Sequence, residues 1–224
     1  MKVNTAKTSM ACSSDAMSYQ VEAYIKDWEG NAITSGDSMK ILGFHFSNRP
    51  TMHAQVRALQ KRFRRQYWTL YHLKRAGFNE EELSYVYRTV ILPIADYCQV
   101  VYHSMLTDEQ DQQVERLQSR ALKCIFGPGL SYAQMRERAQ LTTLRQRRIK
   151  ACDKFASKCL GSHFSHWFPL RSSGRSGGRG GEKYMEEFAR CNRLKNTPLF
   201  YFRRRLNGKE GKTYGERNRK YRDT

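Results

Sequence analysis

The sequence predicts an α+β chain that is mainly α: a small antiparallel hairpin or sheet at the N-terminus, a helical bundle after it, and a basic, partly disordered C-terminal region. Three observations predict it. Apolar residues alternate up to about residue 47, they recur at steps of three and four from Thr51 to about Gly161, and Asn, Thr and Ser stand where helix caps belong.

In the first stretch Tyr19, Val21, Ala23 and Ile25 alternate, and Gly30 and Asn31 supply turn residues. The run SMKILGFHFS follows. Read as one strand, it puts Met39 and Ile41 on one face and Leu42, Phe44 and Phe46 on the other, so both faces should be covered. Gly43 inside it points to a bulge or to a backbone that a partner approaches closely.

The helical stretch opens with a long element. Met52, Val56, Leu59, Phe63, Tyr67 and Leu70 draw one apolar stripe that should end near Gly77. Its other face carries Arg57, Lys61, Arg62, Arg64, Arg65, Lys74 and Arg75, with no acid between Met52 and Gly77. A helix steadied by surface ion pairs would mix the signs. Interleaved with Tyr67, Trp68, Tyr71 and His72, these cations suit a phosphate backbone with bases alongside; the aromatics by themselves read first as core.

Asn79, with Glu82 three residues on, should cap the next helix, whose apolar face runs Leu83, Val86, Val90 and Ile94 until Pro93 kinks or divides it. Thr107 should cap a helix with Val114, Leu117, Ala121 and Ile125 inward, stopped by Gly127 and Pro128. In that helix Asp108 and Glu109 read as first-turn acids that complement the dipole. Ser131 with Gln134, and Thr143, begin two more helices. Four parts follow: 1–50, 51–170, a Gly/Ser/Arg-rich linker at 171–182, and a basic extension at 183–224.

The charge balance narrows the partners. Lys and Arg number 40 against 21 Asp and Glu, a net +19, so a polyanion is the expected partner. Residues 171–224 hold 16 of the cations and 6 of the acids, and the cluster at Arg203, Arg204 and Arg205 reads as a second nucleic-acid footprint. No apolar run is long enough to span a bilayer and no signal-peptide pattern opens the chain, so no membrane partner and an intracellular setting are expected. The six cysteines form no CxxC pair and should be free thiols, mostly buried. Cys152, Cys159, His163 and His166 fall close together, but their spacing is not that of zinc ligands, and one heptad between the cysteines reads as an apolar helix face. His45, His53 and His103 have no partnered nucleophile, and no P-loop occurs.

Read in order, NTAKT, SMKILGFHFSNRP, ALQKRF, YRTVILPIADYCQVVYHS, DQQVERLQSRALKCIFG and LTTLRQRRIKACDKFASK resemble the region after the catalytic turn in reverse transcriptases of non-LTR (LINE-like) retrotransposons, over roughly residues 1 to 170. That resemblance implies an RNA-directed DNA polymerase lineage: the end of a palm at 1–50 and a thumb-like domain at 51–170. It implies that Lys7 faces the triphosphate of an incoming nucleotide in a supporting role, that Leu42, Gly43 and Phe44 form a hairpin gripping the primer end, and that the basic helix holds RNA or a template–primer duplex. Intact members of the family use Mg²⁺ held by aspartates upstream of Asn-x-x-Lys-Thr. Only Met1 to Val3 stand upstream here and no Tyr-x-Asp-Asp turn occurs, so the expectation is a fragment that binds nucleic acid without polymerising, with no cofactor of its own. Two alternatives remain open: a helical protein-interaction module that associates through an exposed palm edge, and a polymerase completed in trans by an upstream polypeptide.

Overall fold

In a computed structural model the described residues are 25–26, 30, 32–33, 38–47, 51–170, 183–186 and 195–208. They fall into two compact units, residues 1–58 and 59–224. The division lies inside the long helix.

In the first unit two short antiparallel ladders occur. β1 (Ile25–Lys26) pairs with β2 (Ala32–Ile33), and β3 (Ser38–Ile41) pairs with β4 (Phe44–Ser47), with Ile41 opposite Phe44. SMKILGFHFS is therefore a hairpin and not one strand. The cause is local: Leu42 at φ 48° and Gly43 at φ 83° both occupy the left-handed region, which makes a two-residue turn matching the strand twist. Phe44 is buried and meets Phe46 edge-on at 4.7 Å, while the His45 N–H donates to Gln55 Oε1 at 3.2 Å.

The second unit is helical. α1 (His53–Arg75) ends as its sequence demands: Gly77 takes φ 94°, its N–H donates to Lys74 O, and the Phe78 N–H donates to Leu73 O. α2 (Glu80–Val86) has the Asn79/Glu82 capping box. It continues through a π turn, Tyr87–Ile91, into α3 (Leu92–Asp96). The buried residues are Leu83, Ser84, Tyr87, Ile91, Leu92 and Ala95, whereas Val90 is exposed. The expected stripe through Val86 and Val90 is thus displaced. Pro93 lacks the N–H for a regular bond and its ring crowds the carbonyl four residues back, and the wider turn just before it rotates the face.

α4 (Gln99–Tyr102) and a 3-10 turn at His103–Met105 lead to α5 (Asp108–Phe126), α6 (Tyr132–Arg138) and α7 (Leu144–Leu160). Capping boxes at Thr107, Ser131 and Thr143 start the last three. Val114, Leu117, Ala121 and Ile125 are buried as expected, and Gly127 stops α5 at φ 84°. A further helix, α8 (Pro198–Leu206), lies in the stretch expected to be an extension. α7 is the central element, packing against α3, α4, α5 and α8. Around it Cys152, Ala156 and Cys159 form one cluster with Phe168, Tyr184, Tyr201 and Phe202.

Charge pairs are used inside this bundle. Arg148 of α7 is fully buried and donates to Asp111 of α5; Arg147 donates to Asp96 from Nε at 3.1 Å and from Nη2 at 2.5 Å. Glu115 of α5 accepts the Tyr132 hydroxyl at 2.5 Å and the first N–H groups of α7, Leu144 and Arg145, each at 3.2 Å. These acids therefore serve the core and the start of α7.

Candidate nucleic-acid interface

α1 presents two faces because its residues repeat at steps of three and four. On one side Leu59, Phe63 and Leu70 are buried. On the other, Lys61, Arg64, Trp68, Tyr71, His72 and Arg75 share a face, with Arg65 beside them, and all are exposed. Arg57 is also exposed, in the portion of α1 that belongs to the first unit.

The aromatic residues on α1 divide, and this differs from a uniform core placement. Trp68 is 65% exposed and Tyr71 50%. They form a surface group: Trp68 stacks on His72 at 5.4 Å and 26°, meets Tyr71 edge-on at 6.2 Å, and the Arg75 guanidinium lies over the Tyr71 ring at 5.8 Å. Tyr67 instead turns inward, its hydroxyl donating to Leu117 O at 3.0 Å, and burial raises its phenol well above the usual range. One step in helical register separates a ring held by α5 from a ring in solvent.

α1 and α5 run side by side in the same direction. Gln60 meets Gln113, Tyr67 meets the Leu117 carbonyl, and Lys74 Nζ donates to the last carbonyls of α5, Cys124 at 3.1 Å and Ile125 at 2.7 Å. Lys74 is thus a helix-end partner. Between the two helices lies a groove of about 200 Å³ where Arg64 faces Arg116 and Arg120. Sequence reasoning missed the last two. The available signal was their i,i+4 spacing, which places like charges on one face of α5.

The other sequence candidates distribute as follows. Leu42 stands at the hairpin tip, 89% exposed, with Gly43 next to it, but Phe44 is buried and cannot reach a primer end from there. Lys7 lies outside the described residues. Arg203, Arg204 and Arg205 do not form an open basic footprint: Arg203 is 4% exposed and donates to Trp167 O at 2.8 and 3.0 Å, Arg204 donates to Lys195 O at 3.0 Å, and Arg205 binds the Asp153 carboxylate at 2.5 and 2.7 Å. Amphipathic packing of α8 on α7 turns these side chains inward. Cys152 and Cys159 belong to the core cluster, where burial pushes the Cys152 thiol up to about 12, while His163 and His166 are exposed.

Among the described residues no three His, Cys, Asp or Glu side chains are grouped to hold a metal ion. Asp96, Asp111 and Asp153 each bind an arginine, so these carboxylates do not fit the pair of Mg²⁺ ions an intact polymerase would use. No helix among them is long and apolar enough to cross a membrane. Comparison with protein-family models, with curated proteins and with solved structures finds no match in any of the three.

Proposed function

We propose that the protein binds RNA or a nucleic-acid duplex through the exposed face of α1, and that it represents the palm end and thumb of a non-LTR retrotransposon reverse transcriptase. The observation that carries the binding reading is the α1 face itself: Lys61, Arg64, Arg65 and Arg75 alternate with Trp68, Tyr71 and His72, all exposed, on a helix without a single acid. Cations at this density repel one another, and a phosphate backbone relieves that repulsion while releasing counterions. Rings beside them offer stacking surfaces to any base, so the binding is tolerant of sequence. The ordered motif series supports the lineage, and the two-residue turn at Leu42–Gly43 agrees with a hairpin tip that meets a nucleic-acid end.

The test is titration of labelled single-stranded RNA and of an RNA–DNA duplex at several salt concentrations. Affinity should fall steeply with salt. Joint alanine substitution of Arg57, Lys61, Arg64 and Arg65 should weaken all sequences alike and flatten the slope by roughly 0.7–0.9 for each phosphate that no longer meets a cation. Binding that is absent or indifferent to salt would overturn the reading.

A further inference from the structure

Two cavities among the described residues differ in charge. The larger, about 330 Å³, is lined by Glu80 and Glu81 as well as Arg88 and Arg138, and Arg138 lies 3.7 Å from Glu80, so its charges neutralise one another. The smaller, between α1 and α5, has Arg64, Arg116 and Arg120 and no acid in its lining. No carboxylate among the described residues pairs with any of these three arginines.

This absence is not for want of acids in α5. Asp111 is taken by Arg148 and Glu115 by Tyr132 and the start of α7, both away from the groove. Glu109, nearer to it, is occupied by Gln113 Nε2 at 3.2 Å. Asp111 and Glu115 are thus engaged by other elements while Arg116 and Arg120 line the groove, where like charges at i,i+4 repel and Arg64 adds a third. All three arginines are exposed and so are not held there by packing. The floor is neutral: Tyr67 is fixed by its bond to the Leu117 carbonyl, and the Gln60–Gln113 amide pair closes one end. Three guanidinium groups, one from α1 and two from α5, line this cleft and supply the forked donors that a tetrahedral oxyanion accepts.

We propose that the α1–α5 groove is a phosphate seat in which Arg64, Arg116 and Arg120 hold one phosphodiester of the bound strand. This rests on the nucleic-acid reading and adds a fixed anchor on a second helix, which sets the register of the strand beside the stacking surface of Trp68 and Tyr71.

The experiment compares three full-length proteins on one 12-nucleotide RNA. Joint substitution Arg116→Ala and Arg120→Ala should cost roughly five- to tenfold in affinity per arginine near 0.1 M salt and reduce the salt slope by at most about 0.7, the share of one phosphate. Arg116→Lys with Arg120→Lys should keep the slope but lose affinity, since a lysine lacks the fork. The control, Lys154→Ala with Lys158→Ala, removes two exposed charges from α7, away from the groove. Equal losses in control and groove variants would overturn the seat and leave only a diffuse field. Pyrophosphate titration of the wild type, followed by arginine side-chain NMR, reads the seat independently: shifts confined to Arg64, Arg116 and Arg120 support it, and none overturns it. If those shifts occur while RNA fails to bind, the seat stands and the nucleic-acid reading falls.

Discussion

His103 and Tyr201, 98 positions apart in sequence, share a buried hydrogen bond of 3.1 Å, with their rings edge to face at 5.1 Å. Ser104 strengthens the same junction by donating to Asn196 O at 2.8 Å. Together these contacts hold α8 against the bundle, so α8 is part of the second unit's core.

Acidification should loosen that junction. Burial, reinforced by the positive charges of Arg148, Arg145 and Arg205, holds the His103 imidazole down to about 3, below its ordinary 6.5. The unfolded chain therefore binds the extra proton first. Stability is full above about 6.5 and falls as pH drops toward 3, by at most about 1.4 kcal/mol per unit from this residue. Urea midpoints measured between pH 6.5 and 5 should decline for the wild type, and His103→Gln should flatten that decline. An unchanged slope in the variant would remove His103 as its source.

Asp111→Ala should be severe. Arg148 is 1% exposed and its Nε and Nη1 already find no partner among the described residues, so losing Asp111 leaves a buried charge with little compensation. Breaking a buried pair of this kind costs about 3–5 kcal/mol, whereas replacing both members with apolar residues costs much less. Denaturation of Asp111→Ala and of the double variant Asp111→Leu, Arg148→Met should show the double variant to be the more stable. The reverse order would mean that the pair is not what makes Arg148 tolerable.

Leu42→Asn should tighten the hairpin. Leucine at φ 48° is strained, and Asn-Gly is the pair that this turn favours, so the exchange should gain about 1 kcal/mol locally. Cross-strand NMR contacts between Met39 and Phe46 should persist to higher temperature. Under the proposed function the same exchange removes an exposed apolar tip and should weaken RNA binding, a split that a purely structural role for Leu42 would not produce.

Trp68→Ala separates stacking from charge. The loss should be about 1–3 kcal/mol for single-stranded RNA, with the salt slope unchanged because no cation is removed. Arg65→Ala should do the opposite, lowering the slope by about 0.7. Fluorescence from the wild type should be quenched as RNA binds, and less so in the Trp68 variant.

Much of the fold was legible because its signals are local. The caps at Asn79, Thr107, Ser131 and Thr143 and the stops at Gly77 and Gly127 act within one turn, through orphan N–H groups and a positive φ. The candidate face of α1 was legible for the same reason, since helical register follows from spacing alone. The displaced face around Tyr87 was harder to see: Pro93 announces a disturbance but not that a π turn will absorb it.

By itself, then, the sequence determined the helical elements, their ends and the one-signed face of α1, because those depend on neighbours three and four residues away. Tertiary structure alone decided which of the arginines meet an acid. Arg148 meets Asp111 across 37 positions and Arg205 meets Asp153 across 52, and neither is left to serve the surface; Arg116 and Arg120 meet no acid among the described residues and face Arg64 across a groove. An arginine looks the same in sequence in either setting, and only the packing of distant helices brings a carboxylate to it or leaves it facing solvent.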